Sequence, residues 1–373
     1  MERIGPKHAR IPEREGNWHG IATGSVVLGG RKVQTERPRG RSTGGGEIAL
    51  DTWAAFSNED LLTQVVVERM LAGVPTRRHV DVAEPLGAEL EARSRATSRS
   101  AVSRRFRRAT EKALAELLGR DLSDLDVCVV MIDGIEVAGS CLVAALVITT
   151  DGRKVPVGLY LGDTENKTVV TNLVADLVAR GLRAEDGLLV VIDGAKALAV
   201  GVRKVFGEQA LVQRCTLHKR RNIDGYLPKE LAARIDRRLA GAFNHPNPTV
   251  GLARARALAV ELDRDHPDAA ASLREGLEDM FTVRRLGVSG RLSKTLTNTN
   301  CIESMISVAR TVMGNVKRWK DGSMKKRWVA AGVVEAERNF RRVRGCNEMP
   351  VLVAALRRHT GSVRGPKYDE EAA

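Results

Sequence analysis

Aromatic residues are few: four Trp, three Tyr and six Phe make up 3% of the 373 residues. A core built from this chain must therefore be aliphatic. Cysteine is sparse as well. Cys128, Cys141, Cys215, Cys301 and Cys346 are odd in number, widely spaced and never arranged as Cys-x-x-Cys, which argues against a disulfide framework and for free thiols in a reducing compartment. No stretch approaches about 18 consecutive apolar residues, the length needed to cross a bilayer. The first twenty residues alternate charge with Gly and Pro and contain no apolar leader. A soluble, cytoplasmic protein is expected, and no internal repeat is evident.

What the chain has in quantity is positive charge. Lys and Arg number 60 against 46 Asp and Glu, a formal net charge of +14. That balance suits a protein that neutralises phosphates, with nucleic acid as the leading partner, although a basic protein from an Arg-rich genome would show it too. With 43% hydrophobic and 28% charged residues, a sizeable core can form, and the length implies two to three structural units.

Residues 1–46 are rich in Gly, Arg and Pro without apolar periodicity, and are expected to be a disordered basic arm or a non-native start. From residue 47 to 121 three short helices are expected: one capped near Asn58, one over 82–93, and one from Thr97 that carries Val102, Phe106, Ala109, Ala113 and Leu117 as an apolar stripe. Three helices in this span suggest a helix-turn-helix region. Arg99, Arg104, Arg105, Arg107 and Arg108 lie off the stripe of the third helix, where a recognition helix carries its cations; a plain solvated face would look the same.

After Asp124 the pattern switches to strands, at 127–132, 142–149, 155–161, 188–192 and 210–213, with helices at 164–180 and 195–206. The order β-β-β-α-β-α-β is that of a ribonuclease-H-like α/β domain with a mixed sheet. Residues 226–295 show no strand signal and read as an all-helical insertion, broken near Pro246, Pro248 and Pro267. The α/β domain is thus expected over 122–225 and 296–345, with a C-terminal helix and tail over 346–373.

Two of these strands run into Ile-Asp-Gly, at Ile132-Asp133-Gly134 and Ile192-Asp193-Gly194. An acid at the carboxyl end of a buried strand sits where open α/β sheets bind ligands. Two such carboxylates side by side repel, so they make sense around a hard cation, Mg²⁺ or Mn²⁺; the alternative is two unrelated turns. Glu303, in the first turns of a helix begun by Asn300, is the candidate third acid, and could instead simply answer the helix dipole. Arg310, seven residues on, falls on the same helix face.

The ordered elements Met-Ile-Asp-Gly (131–134), Val-Ile-Asp-Gly-Ala-Lys-Ala-Leu (191–198), Val-Gln-Arg-Cys-Thr-Leu-His-Lys-Arg-Arg-Asn (212–222), Thr-Asn-Cys-Ile-Glu-Ser (299–304), Lys-Arg-Trp (317–319) and Arg-Trp-Val-Ala-Ala-Gly (327–332) together resemble the bacterial Mutator-type insertion-sequence transposases over roughly residues 46–360. The resemblance implies a DDE catalytic domain with Asp133, Asp193 and Glu303 as the metal-holding triad, and Arg310 as the basic residue after the Glu. It implies a DNA transposase that binds the terminal inverted repeats of its element and target DNA, cleaves and transfers strands with a divalent metal, and works as at least a dimer on DNA. A repressor that only binds DNA, or a nuclease without strand transfer, are the alternatives.

Cys215 and His218 match the family's Cys-x-x-His signature. They are candidate active-site residues; a structural zinc site would need a second ligand pair, which is absent nearby. Lys219, Arg220 and Arg221 are read as DNA-backbone contacts at the mouth of the site. Lys317, Arg318 and Trp319 combine cations with a ring and are also assigned to DNA, whereas Trp328 is expected in the core. Two departures stand out: Cys301 occupies a position where the family commonly has Pro, and residues 135–139 lack the usual aromatic.

Overall fold

Residues expected to be unordered at the start of the chain instead pair with one another. In the computed structural model, which describes residues 14–95, 97–162, 167–194 and 196–363, β1 (Gly16–Leu28) and β2 (Arg31–Ser42) form a long antiparallel hairpin. The expectation for 1–46 is corrected over 16–42; its first 13 residues lie outside the described ones. The turn explains why. Gly29 and Gly30 both hold positive φ, +54° and +75°, as a tight hairpin turn with the twist of its strands requires. Composition hid a period-two signal: Val26 faces Val33 across the ladder, and Val33 is fully buried.

The chain divides into two units, Met1–Lys112 and Ala113–Ala373. In the first, α1 (Asp51–Ser57) precedes α2 (Glu59–Leu71), which Asn58 caps by accepting from the Asp60 N–H at 2.8 Å. The helix expected over 82–93 is reduced to α3 (Ala88–Ala92), because Pro85 and Gly87 interrupt the segment before it. A two-residue strand, β3 (Ser94–Arg95), then pairs with β2. The chain leaves this unit within α4 (Arg99–Leu118), whose Val102, Phe106 and Leu117 are buried as its apolar spacing requires.

The second unit is built on five strands: β4 (Val127–Val137), β5 (Ser140–Thr149), β6 (Lys154–Gly162), β7 (Leu188–Ile192) and β8 (Ala210–Arg214). Their spatial order is β6-β5-β4-β7-β8; β4, β5 and β6 run antiparallel, and β7 and β8 run parallel to β4. This is an α/β architecture with a mixed sheet. The parallel connections pass through α5 (Lys167–Ala179) and α6 (Lys196–Phe206). Side chains alternate along each strand. Val130, Ile132, Val190, Ile192 and Val212 therefore join Leu173, Leu177, Leu198 and Val202 of α5 and α6 in one aliphatic core, while Val129, Met131 and Val191, equally buried, face the other way.

After α7 (Thr216–Asp224) the chain is helical with no strand among the described residues: α8 (Lys229–Phe243), α9 (Pro248–Leu262), α10 (Pro267–Arg274), α11 (Thr282–Arg285) and α12 (Gly290–Leu296). Pro248 and Pro267 each occupy the first turn of a helix, where a missing N–H costs nothing. Leu239, Phe243, Leu258, Leu273 and Phe281 form a separate core for this insertion. Then α13 (Asn300–Met313) returns to pack on β4, and α14 (Gly322–Arg338) on β6. Gly332 of α14 lets the two helices touch: a Cβ there would stand 2.5 Å from the Ala309 Cα. Trp328 is buried in α14, as expected, and α15 (Met349–Val363) follows.

Candidate active site

The register of the parallel strands brings the acids together. Ile132 pairs with Ile192 and Ile192 with Arg214, so the next residues, Asp133, Asp193 and Cys215, emerge side by side across three strands. By alternation all three lie on the face opposite the α5 and α6 core. That is the face with Met131 and Val191, against which α13 presents its first turn.

One expectation changes here. β4 does not end at Asp133: the strand continues to Val137, and Gly134 keeps an extended conformation opposite Val143. Only Asp193 ends its strand. Asp133 is held from within one, and its Oδ1 accepts the Gly134 N–H at 2.9 Å. Burial pushes its pKa up to about 6, and the charges of Asp193 and Glu303 add to the rise while the Gly134 N–H and His218 oppose it. Asp193, Glu303 and His218 thus lie in the space around Asp133, near enough for their charges to act on it.

Glu303 reaches that space because the segment before α13 is tied to the end of β8. The Thr216 N–H and Oγ1 both donate to the Thr297 carbonyl, at 3.0 and 3.1 Å. Asn298 Oδ1 accepts the Asn300 N–H at 2.9 Å, so the capping expected of Asn300 falls to its neighbours, with Thr299 at the cap position. The freed Thr299 hydroxyl bonds Glu303 Oε1, and lies 3.4 Å from both Cys215 Sγ and His218 Nδ1.

Cys215 is fully buried and caps α7, its sulfur accepting the His218 N–H at 3.5 Å. Burial works to raise its thiol, but hydrogen bonds from His218 and Thr299 outweigh this and lower the pKa. The neighbouring sulfur is also the main cause of the rise of His218 to about 9, against burial and helped by Glu303 and Asp133. His218 Nε2 stands 3.9 Å from Glu303 Oε1. Ligand atoms of Cys215, His218 and Glu303 all lie within 4.8 Å of one another, a set able to hold a divalent metal. Glu303 thus belongs to a mixed-donor group with Cys215 and His218, and its charge also acts on Asp133.

The pattern of the Mutator family of transposases matches residues 7–343. The chain belongs to that family. Among proteins similar to this Mutator-family chain is one described as a probable transposase for an insertion sequence element, from Corynebacterium diphtheriae, 25% identical over 215 residues, which are 57% of this chain and 61% of the relative. A second, the transposase for insertion sequence element IST2 of Acidithiobacillus ferrooxidans, is 26% identical over 204 residues, 55% of this chain and 66% of the relative. The chain thus spans under two thirds of the length of each. The family match begins at residue 7 and so takes in the amino-terminal hairpin.

Other expected site residues divide in this Mutator-family chain between surface and interior. Arg99, Arg104, Arg107 and Arg108 are exposed on α4, while Arg105 is half-buried and donates to Thr63 Oγ1 at 3.2 Å. Arg310, Lys317 and Arg318 are exposed and Trp319 is half-buried. Lys219 is a correction. Its side chain is buried and Nζ donates to the Ser272 carbonyl at 2.5 Å, with burial pushing its pKa down to about 8. It cannot serve as a surface contact, because α7 turns that face toward α10. Arg220 is committed as well, through a two-pronged ion pair with Asp236 at 2.6 Å; Arg221 is exposed.

Two contributors escaped the sequence reading. Thr299 opens the Thr-Asn-Cys-Ile-Glu-Ser motif but was given no role, although its place four residues before Glu303 on a helix start was a usable signal. Arg214, with a nearly buried side chain, donates to the Gly194 carbonyl at 3.1 Å and so braces the turn behind Asp193.

Proposed function

We propose that this protein is a divalent-metal-dependent DNA transposase with a ribonuclease-H-like catalytic domain, in which Asp133, Asp193 and Glu303 are the catalytic acids. The observation that carries the proposal is the parallel register that sets Asp133 beside Asp193, with the pKa of Asp133 raised chiefly by burial and further by the charges of Asp193 and Glu303. Carboxylate oxygen donors from β4, β7 and α13 suit Mg²⁺ or Mn²⁺. The strand order, with three antiparallel strands followed by two parallel ones, supports the fold assignment, and family membership supports DNA as the substrate.

When bound, such an ion supplies charge at the scissile phosphate and acidifies the attacking oxygen. The chain's own part is positioning. β4 and β7 fix two carboxylates by register, and the ties from Thr216 to Thr297 and from Thr299 to Glu303 fix the third. His218, next to Glu303 and protonated at neutral pH by its raised pKa, adds a cation beside the phosphate. Exposed arginines of α4 would hold the terminal inverted repeat by its backbone, and joining two element ends requires at least a dimer.

The test uses a labelled duplex carrying the inverted repeat that flanks the gene, with Mg²⁺ or Mn²⁺. Cleaved and joined strands are expected from the protein. Asp133→Asn, Asp193→Asn and Glu303→Gln should each reduce product roughly 10³-fold or more without lowering the melting temperature. Cut strands without joined ones would indicate a nuclease, and retarded duplex without products a repressor. Undiminished activity in all three variants would overturn the site.

A further inference from the structure

Beside the carboxylates lies a feature of opposite charge. Arg341, Arg342, Val343 and Arg344 follow α14; of the four only Val343 is buried, its N–H donating to the Gly152 carbonyl at 2.9 Å. With Val343 as an anchor, the three arginines are turned outward. Gly345 holds φ +83°, and a Cβ there would stand 2.3 Å from the Leu292 nitrogen, so only glycine lets the segment lie against α12. Two further bonds fasten it: Thr295 Oγ1 donates to the Arg344 carbonyl at 3.0 Å, and Glu348 Oε2 accepts the Leu292 N–H at 3.3 Å. The arginines therefore ride on a fixed backbone.

Facing them, α12 presents Arg291 and Lys294, and β6 opens with Lys154, whose Nζ sits 4.6 Å over the Phe340 ring. These six cations line a cleft of ≈ 980 Å³ whose far wall is the start of α13, with no carboxylate among its lining residues. Arg342 shares Asp151 at 3.3 Å; Arg291, Lys294, Arg341 and Arg344 have no acidic partner among the described residues. Six like charges set around an open cleft repel one another unless a polyanion lies between them. A single small anion would occupy one corner. A run of phosphates fills the whole.

We infer that this cleft seats the phosphodiester backbone of double-stranded DNA and leads it to the first turn of α13, where Glu303 stands. The inference rests on the proposed function for its choice of polyanion. It adds a contact surface that neither α4 nor the Lys317–Trp319 stretch includes, assembled from positions as far apart as 154 and 344. The duplex could be element end or target; the chemistry is shared.

The experiment measures the salt dependence of binding by the full chain to two fluorescent duplexes, one carrying the inverted repeat and one unrelated. Combining Arg291→Gln, Arg341→Gln and Arg344→Gln should reduce the slope of log affinity against log salt by about 3, near 0.9 per lost phosphate contact, with melting unchanged. A reduction on both duplexes marks a general backbone track, on the repeat alone an end site, and on the unrelated duplex alone a target site. Removing three exposed cations from the helical insertion instead, by Lys229→Gln, Arg237→Gln and Arg264→Gln, should leave the slope alone. An unchanged slope in the cleft variant, or an equal drop in the insertion variant, overturns the proposal. In the unaltered protein, bound duplex should shield Lys294 from acetylation and leave Lys229 open; an unshielded Lys294 would also overturn it. Asp133→Asn, run alongside, keeps the two readings apart. Persisting cleavage there with a reduced slope in the cleft variant would remove the triad and keep the cleft.

Discussion

Two basic clusters of nearly the same composition have opposite fates in this protein. Lys219, Arg220 and Arg221 sit on α7 next to the site, and Arg341, Arg342 and Arg344 sit on an irregular segment after α14. The first looks like the DNA contact, being adjacent in sequence to His218. Yet Lys219 is spent on the Ser272 carbonyl and Arg220 on Asp236, leaving Arg221 exposed. The second cluster has one weak partner in Asp151 and lines an open cleft. The difference lies in the neighbours. A helix packed on two sides buries whatever falls on those sides, whereas a segment anchored by one valine turns everything else outward. Cationic sequence is therefore a poor guide to cationic surface.

This contrast can be broken by substitution. The largest effect is expected from Lys219→Ala, which empties a packed position and strands the Ser272 carbonyl. It should cost about 2–4 kcal/mol of stability in chemical denaturation, with Lys219→Met recovering more than half; a cost below 1 kcal/mol would mean the lysine is not structural. Next, Gly345→Ala forces a side chain into the left-handed region and against Leu292. A loss of about 2 kcal/mol is expected, together with weaker duplex binding, since the cleft depends on backbone placement. Arg220→Ala, which leaves Asp236 half-buried and unpaired, should cost about 1–2 kcal/mol and leave the salt slope of DNA binding where it was. Smallest in stability is Arg344→Ala, within about 0.5 kcal/mol of the parent, yet it should lower the salt slope by about 1. If Arg220→Ala lowered the slope and Arg344→Ala did not, the two clusters would have to exchange roles.

Legibility in the sequence followed burial. The five strands of the second unit are aliphatic runs that lie between layers of helices, so they stand out from their flanks, and Pro248 and Pro267 announce the helix starts of the insertion. The adjacency of Asp133 and Asp193 was legible because Ile-Asp-Gly follows such a run twice, and the register of β4 and β7 aligns the two. What failed is equally specific. The β1–β2 hairpin is masked by Gly and Arg, since a two-stranded ribbon needs few buried side chains. Gly134 resembles a turn residue but lies in an extended strand, and one sequence carries no sign of which conformation it adopts. The contacts of Thr299 with Cys215 and His218, and the gathering of the cleft cations, join segments 80 to 190 residues apart, which no local pattern encodes.

The Thr299 hydroxyl has a consequence of its own. It owns a single hydrogen, and three groups stand around it: a sulfur and a carboxylate oxygen that accept, and an imidazole nitrogen that donates to the hydroxyl oxygen when His218 is protonated. Turning the hydroxyl hydrogen toward one acceptor withdraws it from the other. Cys215, His218 and Glu303 are thereby joined in one hydrogen-bond circuit with Thr299 as its rotor. Thr299→Val keeps the shape and cuts the circuit.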